Sequence, residues 1–329
     1  MDDWFLTSPA GRIALALLAA AGYALASYFL TLHVLGGLGL VSVVFAIVQP
    51  AVISAFVAFV GDPMGKRPKS YYILSPTLLA LGMIVIAALV LREGAVCIVM
   101  LAPIWLVSGI GGTLLLYRFG PRVPDPQASA ATFRASALLA VPLVMVPLEQ
   151  AIPNPVDSYE VSRSVEIAAD RQSVWALMQS VPALESQEGR WNVTQDLVGV
   201  PRPVAATLSG RGVGAVRHAE WGRSIAFEEH VTHWQPGRAI GWDFVFPASD
   251  GWDFTDPHLR PDSDYMTIDS GGYTLDQIAP GRVRLTLHTR YTARTKLNAY
   301  GTLWGELFLG DIQSNILAVI RERAEAGAR

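Results

Sequence analysis

From Ile13 to Val60 the chain runs 48 residues without an Asp, Glu, Lys or Arg, and His33 is the one histidine in that stretch. This is enough for two bilayer crossings at roughly 20 apolar residues each. A soluble domain could not keep so long a stretch free of charge on its surface. The hydropathy pattern predicts five apolar segments, at 12–33, 38–60, 72–91, 95–117 and 135–152. The fifth is the weakest: its uncharged core, Ala135 to Leu148, is 14 residues long and holds Pro142 and Pro147. Extended to Ile152 it reaches 18 residues, at the short end of what spans. The alternative for it is an interfacial or re-entrant helix.

After Pro153-Asn154-Pro155, which cannot continue a helix, the period changes. Val161, Arg163, Val165 and Ile167 alternate as in a strand over 159–167. Asp170 is placed to cap a helix whose apolar face is Val174, Trp175, Leu177 and Met178. Further strands are expected at 190–198, 203–209, 213–221, 224–234, 238–246, 271–278 and 281–293. A last helix is expected over 298–325, with Trp304, Phe308, Ile312, Ile316 and Ile320 at i, i+4 spacing. The pattern is that of a transmembrane helical domain (1–152), a linker (153–158) and an α+β domain (159–329). In the latter a curved antiparallel sheet can wrap the C-terminal helix.

Charge sharpens the division. There are 8 basic and 6 acidic residues before Pro153, against 17 basic and 22 acidic from it onward. The acidic surplus of the second half argues against a nucleic-acid partner, which would want a basic face. Cys97 is the single cysteine, which excludes an internal disulfide and a several-cysteine zinc cluster. The start, Met1-Asp2-Asp3, lacks a basic region, so no cleavable signal peptide is expected. Lys66, Arg67 and Lys69 in one loop, and Arg118, Arg122 and Arg134 in another, belong on the cytoplasmic side by the positive-inside rule. If the fifth segment spans, residues 153–329 lie on the periplasmic side of an inner membrane; if not, they are cytoplasmic. The periplasmic side is favoured. The small-residue runs Ala19–Ala26 and Ser108–Thr113 suit helix packing rather than a pore, and His33 beside Gly36-Gly37 suits an interface rather than a metal.

Several runs carry a resemblance. Val161–Ile167, Ala169-Asp170 and Val174-Trp175 resemble the opening of the START-like superfamily, also called SRPBCC, the polyketide cyclase/dehydrase and lipid-transport type. Gly199–Pro203, Gly212–His218, Phe227–Val231, Trp234–Gly237, Asp256–Leu259, Gly272–Leu275 and Arg282–Tyr291 resemble a branch in which the domain follows several membrane helices. The resemblance covers roughly 157–325; the helical front is similar in layout only. It implies a helix-grip fold, with seven antiparallel strands enclosing an apolar cavity against the C-terminal helix. The superfamily spans carriers, receptors and cyclases, so the fold alone does not choose among them.

Candidate chemistry comes from the hairpin 213–233. If Gly222 and Arg223 form a two-residue turn, Trp221 pairs with Ser224, His218 lies opposite Phe227 and Val216 opposite Glu229. Ile225, Phe227, Glu229, Val231 and His233 then face inward with Val216, His218 and Glu220, while Arg217 and Glu228 pair outside. A one-residue slip would exchange these assignments. The expected ligand wall is His218, Glu220, Phe227, Glu229, Trp242, Phe244, Tyr291, Trp304 and Phe308, with Ile240, Phe246, Leu285, Leu287 and Thr289 nearby. A carboxylate in an apolar cavity must be paired or protonated. His218 with Glu229 or Glu220 is therefore the candidate acid/base or ligand-orienting pair, with Tyr291 as a donor; mutual bracing of the sheet is the plainer alternative. Glu228-Glu229-His230 with His233 has metal-like spacing, but adjacent strand residues face opposite ways and a third ligand is lacking. The eight Asp between Asp243 and Asp276 do not follow an EF-hand pattern. They read as a solvated loop, and Pro247–Pro261 with Arg163 and Arg190 could gate access. No phosphate loop, serine elbow or dinucleotide fingerprint is present.

These observations favour a membrane-tethered module that takes a lipid or other hydrophobic small molecule, with no metal and no cofactor. A cyclase/dehydratase-type enzyme using the His/Glu pair is the second reading. A sensor or assembly protein with a filled core and protein partners is the third.

Overall fold

The structure, a computed structural model, describes residues 9–33, 42–91, 94–123, 135–185, 188–222, 225–247, 251–252 and 260–327. Asp250, Asp253, Asp256, most of the 247–261 loop, Gly36-Gly37 and Arg134 lie outside these, as does the side chain of His33. Two compact units form, one from Met1–Glu93 and Cys97–Asn154, the other from Pro155–Arg329 with Gly94–Val96.

The first unit is helical: α1 (Pro9–His33), α2 (Gln49–Gly61, preceded by a wide turn Val44–Val48), α3 (Lys69–Ile86), α4 (Ala95–Phe119) and α5 (Ala140–Gln150, preceded by Ala137–Leu139). Three stretches are long and apolar enough to cross a membrane: Val44–Gly61, Lys69–Leu89 and Ala95–Phe119. The first and fifth expected segments supply shorter apolar helices, Ile13–Ser27 and Ala137–Gln150. Small residues set the packing. Ala16, Ala20 and Ala24, one helical turn apart, lie on Ile53, Phe56, Val57 and Val60 of α2. Gly112 of α4 sits so close to the Ala51 backbone that a Cβ there would stand 2.3 Å from its carbonyl oxygen.

The weak fifth segment is tied down by one side chain. The Glu149 carboxylate accepts from Ser42 Oγ (2.6 Å), Val43 N (2.7 Å) and Val44 N (3.1 Å), more than a hundred residues earlier in the chain. It thereby satisfies backbone donors that the start of a helix leaves orphaned. At its other end, Ala135 and Leu139 pack on the Ile53–Val60 cluster. The segment from Ala135 to Glu149 thus runs the length of α2.

The second unit has strands β1 (Asp157–Ile167), β2 (Pro203–Ser209), β3 (Val216–Trp221), β4 (Ile225–Gln235), β5 (Ala239–Val245), β6 (Met266–Ala279) and β7 (Arg282–Ala293), with helices α6 (Arg171–Gln179) and α7 (Asn298–Gly327). They form one antiparallel sheet in the order β1-β7-β6-β5-β4-β3-β2. This is the helix-grip arrangement, with α7 laid against the sheet. Asp170 caps α6 as expected, accepting from Gln172 N (2.8 Å) and Ser173 N (2.9 Å). The core joins α6 (Val174, Met178), the inner sheet face (Val231, Ile240, Trp242, Tyr273, Leu275, Leu285, Leu287) and the C-terminal half of α7 (Leu317, Val319, Ile320). In the stripe expected on α7, Ile320 is fully buried while Trp304, Phe308, Ile312 and Ile316 are half-buried.

One expected strand is absent. Residues 190–198 contain instead a turn, Val193–Leu197, capped by Asn192, whose Oδ1 accepts from Gln195 N (2.8 Å). Asn and Asp offer the backbone local partners that compete with a ladder, and this segment uses them to dock on α7. Asn315 bonds Arg190 N (2.8 Å) and Gln195 (3.0 Å), and Asp311 accepts from Thr194 N (3.0 Å).

Replacing Glu149 with Leu removes three hydrogen bonds, two of them from helix-start amides. It should lower the stability of the helical unit by about 1.5–3 kcal/mol. Thermal unfolding of the purified protein in detergent checks this, with Glu149→Gln falling between the two.

Candidate functional site

The inner face of the sheet is read from its register. One row across β4, β5, β6, β7 and β1 is Val231, Trp242, Gly271, Thr289, Val161. The next, across β3, β4 and β5, is Arg217, Glu229, Phe244. Rings line it continuously. Tyr273 meets Trp242 (5.4 Å between centroids), Trp242 meets Phe244 (6.2 Å), and Phe244 meets Phe227 (5.8 Å) and Phe246 (6.1 Å). Trp221 and Trp252 continue the series at 5.8 Å and 6.0 Å.

Among these rings lies a buried ion pair. Arg217 and Glu229 are each 5% exposed and joined through Arg217 Nη1 and Glu229 Oε2. Arg217 also donates from Nε to the Gln179 carbonyl at the end of α6 (3.2 Å) and to Tyr273. Its guanidinium stands 5.5 Å from the Trp242 ring centroid and 5.9 Å from that of Tyr273. Burial pushes the Glu229 carboxyl above the ordinary carboxylate range, with Arg217 opposing it. Burial likewise holds the Tyr273 hydroxyl up at about 12. Arg217 keeps its proton: loss of solvent, the largest influence, works against the charge, and Glu229 and Tyr273 together more than offset it. The site presents a cation, the carboxyl paired with it and a phenol, all within apolar walls.

The expected His218–Glu229 pair does not form. Trp221 pairs with Ile225, not with Ser224 (Arg223 and Ser224 lie outside the described residues), so the hairpin register is shifted by one. Arg217 then faces Glu229 and His218 faces Glu228. The shift turns His218 and Glu220 to the outer, exposed face and brings Arg217 inside. On that outer face Glu228 bonds His230 Nε2 (2.6 Å) with His218 Nδ1 at 3.7 Å. A bulge between Val231 and His233 leaves His233 exposed as well. Glu229 therefore points away from Glu228, His230 and His233, and no group of three metal-type side chains occurs among the described residues.

Phe227, Glu229, Trp242 and Tyr291 are buried and Phe244 is half-buried, all on the inner face. Tyr291 stacks near Tyr159 (5.5 Å), and burial raises its hydroxyl to about 12. Gly305 of α7 lies against that hydroxyl, where a Cβ would stand 2.4 Å away. Trp304 and Phe308 flank this crossing, 5.6 Å apart. Arg163 is held by Glu306 (2.7 Å), and Arg190 belongs to the segment docked on Asn315. Sequence reasoning missed Arg217, Tyr273 and Gln313. The run Ala215, Arg217, Ala219, small residues alternating about one Arg, was the available signal.

Neither a family model nor a curated protein matches the sequence. Solved structures do resemble it. An aromatase/cyclase from Streptomyces sp. R1128 is 15% identical over 51% of this chain and 94% of its own, with a TM-score of 0.32. A START superfamily protein from Mycobacterium smegmatis is 15% identical over 51% and 97%, at 0.31. Truncated norcoclaurine synthase from Thalictrum flavum is 11% identical over 49% and 92%, at 0.31. At these values the likenesses bear on neither activity nor ligand.

Breaking the buried pair on one side strands a charge, so Glu229→Leu should cost about 3–5 kcal/mol, while Arg217→Met with Glu229→Leu should recover most of it. Denaturant unfolding followed by tryptophan fluorescence separates the two. A double variant as unstable as the single would show that the cost does not come from the stranded charge.

Proposed function

We propose that this chain is a membrane-anchored helix-grip module that binds a lipid or other hydrophobic small molecule against the inner face of its sheet. The observation that carries the reading is the continuous aromatic wall ending on the fully buried Arg217–Glu229–Tyr273 group. A buried ion pair contributes little to stability compared with apolar residues of the same volume. An amphipathic ligand gives such a group a use, since a few placed polar groups within an apolar lining fix orientation. The three long apolar stretches supply the anchor, and tethering raises the effective concentration of a membrane-derived ligand.

The soluble unit is assigned to the periplasmic side of an inner membrane. Support comes from the segment Ala135–Glu149, which runs the length of α2 and ends at its start, opposite the basic loops that the positive-inside rule puts in the cytoplasm. Acid–base chemistry is the second reading. What favours it is Glu229, pushed up by burial beside Tyr273; the pair with His218 has no support in the register.

Native mass spectrometry of the detergent-purified protein, with solvent extraction, tests the binding reading. A stoichiometric apolar passenger that is lost in Trp242→Asp is expected. A protein that stays free of passenger after exposure to membrane extract would contradict it. Reporter fusions after Arg134 and after Arg329 should report opposite sides of the membrane; the same side for both would overturn the assignment.

A further inference from the structure

Three buried polar atoms of the inner sheet face and of α7 lack partners among the described residues: the Gln313 Oε1 acceptor and the Trp242 and Trp304 Nε1 donors. Gln313 and Trp242 are each 2% exposed. Gln313 reaches from α7 to donate through Nε2 to the Val161 carbonyl (2.9 Å) and to Thr289 Oγ1 (3.0 Å). A backbone carbonyl can only accept, so the amide nitrogen must stand on that side and Oε1 is the atom left over. The indole N–H of Trp242 can only donate.

The register sets Trp242 and the Thr289 partner of Gln313 on either side of one residue. Gly271 on β6 is paired with Trp242 on one side and Thr289 on the other. The Trp242 Nε1 atom lies 3.1 Å from where a Cβ at Gly271 would stand, and Gln313 is bonded to Thr289. An orphan donor and an orphan acceptor thus flank the one inner-face position of that row without a side chain. Buried polar groups are nearly always paired, and leaving them unpaired is costly. The ion pair nearby is already matched within itself, so no net charge awaits a ligand there. The rings of Phe244 and Trp242 now lean on Gly271, the Phe244 edge at 3.0 Å from its Cβ position. They are the groups that would shift.

Resting on the ligand site proposed above, we infer that the ligand carries a neutral hydroxyl group that docks over Gly271, accepting from Trp242 Nε1 and donating to Gln313 Oε1. A hydroxyl alone among common ligand groups does both at one oxygen. An ether, ester or ketone cannot donate, a carboxylate cannot donate, and an ammonium cannot accept. The ligand class is therefore a hydrophobic alcohol.

The test uses the full-length protein in detergent, stripped of passenger, with farnesol and farnesyl methyl ether as a matched pair competing at equal concentration in native mass spectrometry. The wild type should prefer the alcohol by about tenfold, the worth of one hydrogen bond. Trp242→Phe, which keeps a ring and removes the donor that both probes accept from, should weaken both and leave the preference in place. Gln313→Met, close in volume, removes the acceptor that only the alcohol uses and should cut the preference to below about twofold; the ratio rather than the affinity is the readout. Equal binding of both probes by the wild type, as expected if water fills the position, overturns the hydroxyl assignment and leaves the binding reading standing. A preference that survives Gln313→Met overturns it as well. Binding of neither probe, together with no native passenger, overturns the binding reading and the hydroxyl with it.

Discussion

The Arg217–Glu229 ion pair is the constraint on which the second unit turns. A guanidinium and a carboxylate at 5% exposure are tolerable only when each has the other and when the remaining donors are used. Arg217 donates further to the Gln179 carbonyl and to Tyr273, which ties α6, β3, β4 and β6 to one point. The register of the β3–β4 hairpin follows from this. With Trp221 opposite Ile225 the pair is indoors; slipped by one residue, Glu229 would be buried without its cation.

Much of the architecture was legible in the sequence because it depends on period and punctuation. The alternation in β1, the Asp170 cap, the i, i+4 pattern of the last helix and the five apolar segments each reappear as elements with nearly the expected bounds. The errors lie where long-range partners override local pattern. The 190–198 segment looked like a strand, yet Asn192 caps a local turn through Gln195 N and Thr194 finds a side-chain partner, Asp311, on α7. In the hairpin, both registers gave a plausible alternation, and the choice between them depended on the partner of a buried charge rather than on the turn. The inner wall was half legible: Phe227, Glu229, Trp242, Phe244 and Tyr291 lie on the inner face, whereas His218 and Glu220 do not.

The helical unit follows a similar logic on a smaller scale. Its fifth segment is too short and too rich in proline for hydropathy alone to decide its path. Glu149, the one acid near its end, caps the start of α2 and so determines where that end lies. In both units a single buried carboxylate, matched to its donors, settles what apolar patterning leaves open. The second unit differs in what surrounds its charge. There, aromatic rings and a side-chain-free glycine lie beside Trp242 Nε1, a buried donor without a partner among the described residues. A core built only for stability would avoid that combination.

Photocrosslinking in native membranes tests the central claim most directly. A diazirine-bearing fatty alcohol would be incorporated, irradiated, and its adducts mapped by peptide mass spectrometry. Adducts concentrated on peptides carrying Phe227–Phe246 and Trp304–Gln313, and competed by unlabelled alcohol, are the predicted result. Labelling confined to the apolar helices of the first unit, with the inner face of the sheet unmodified, would contradict the account.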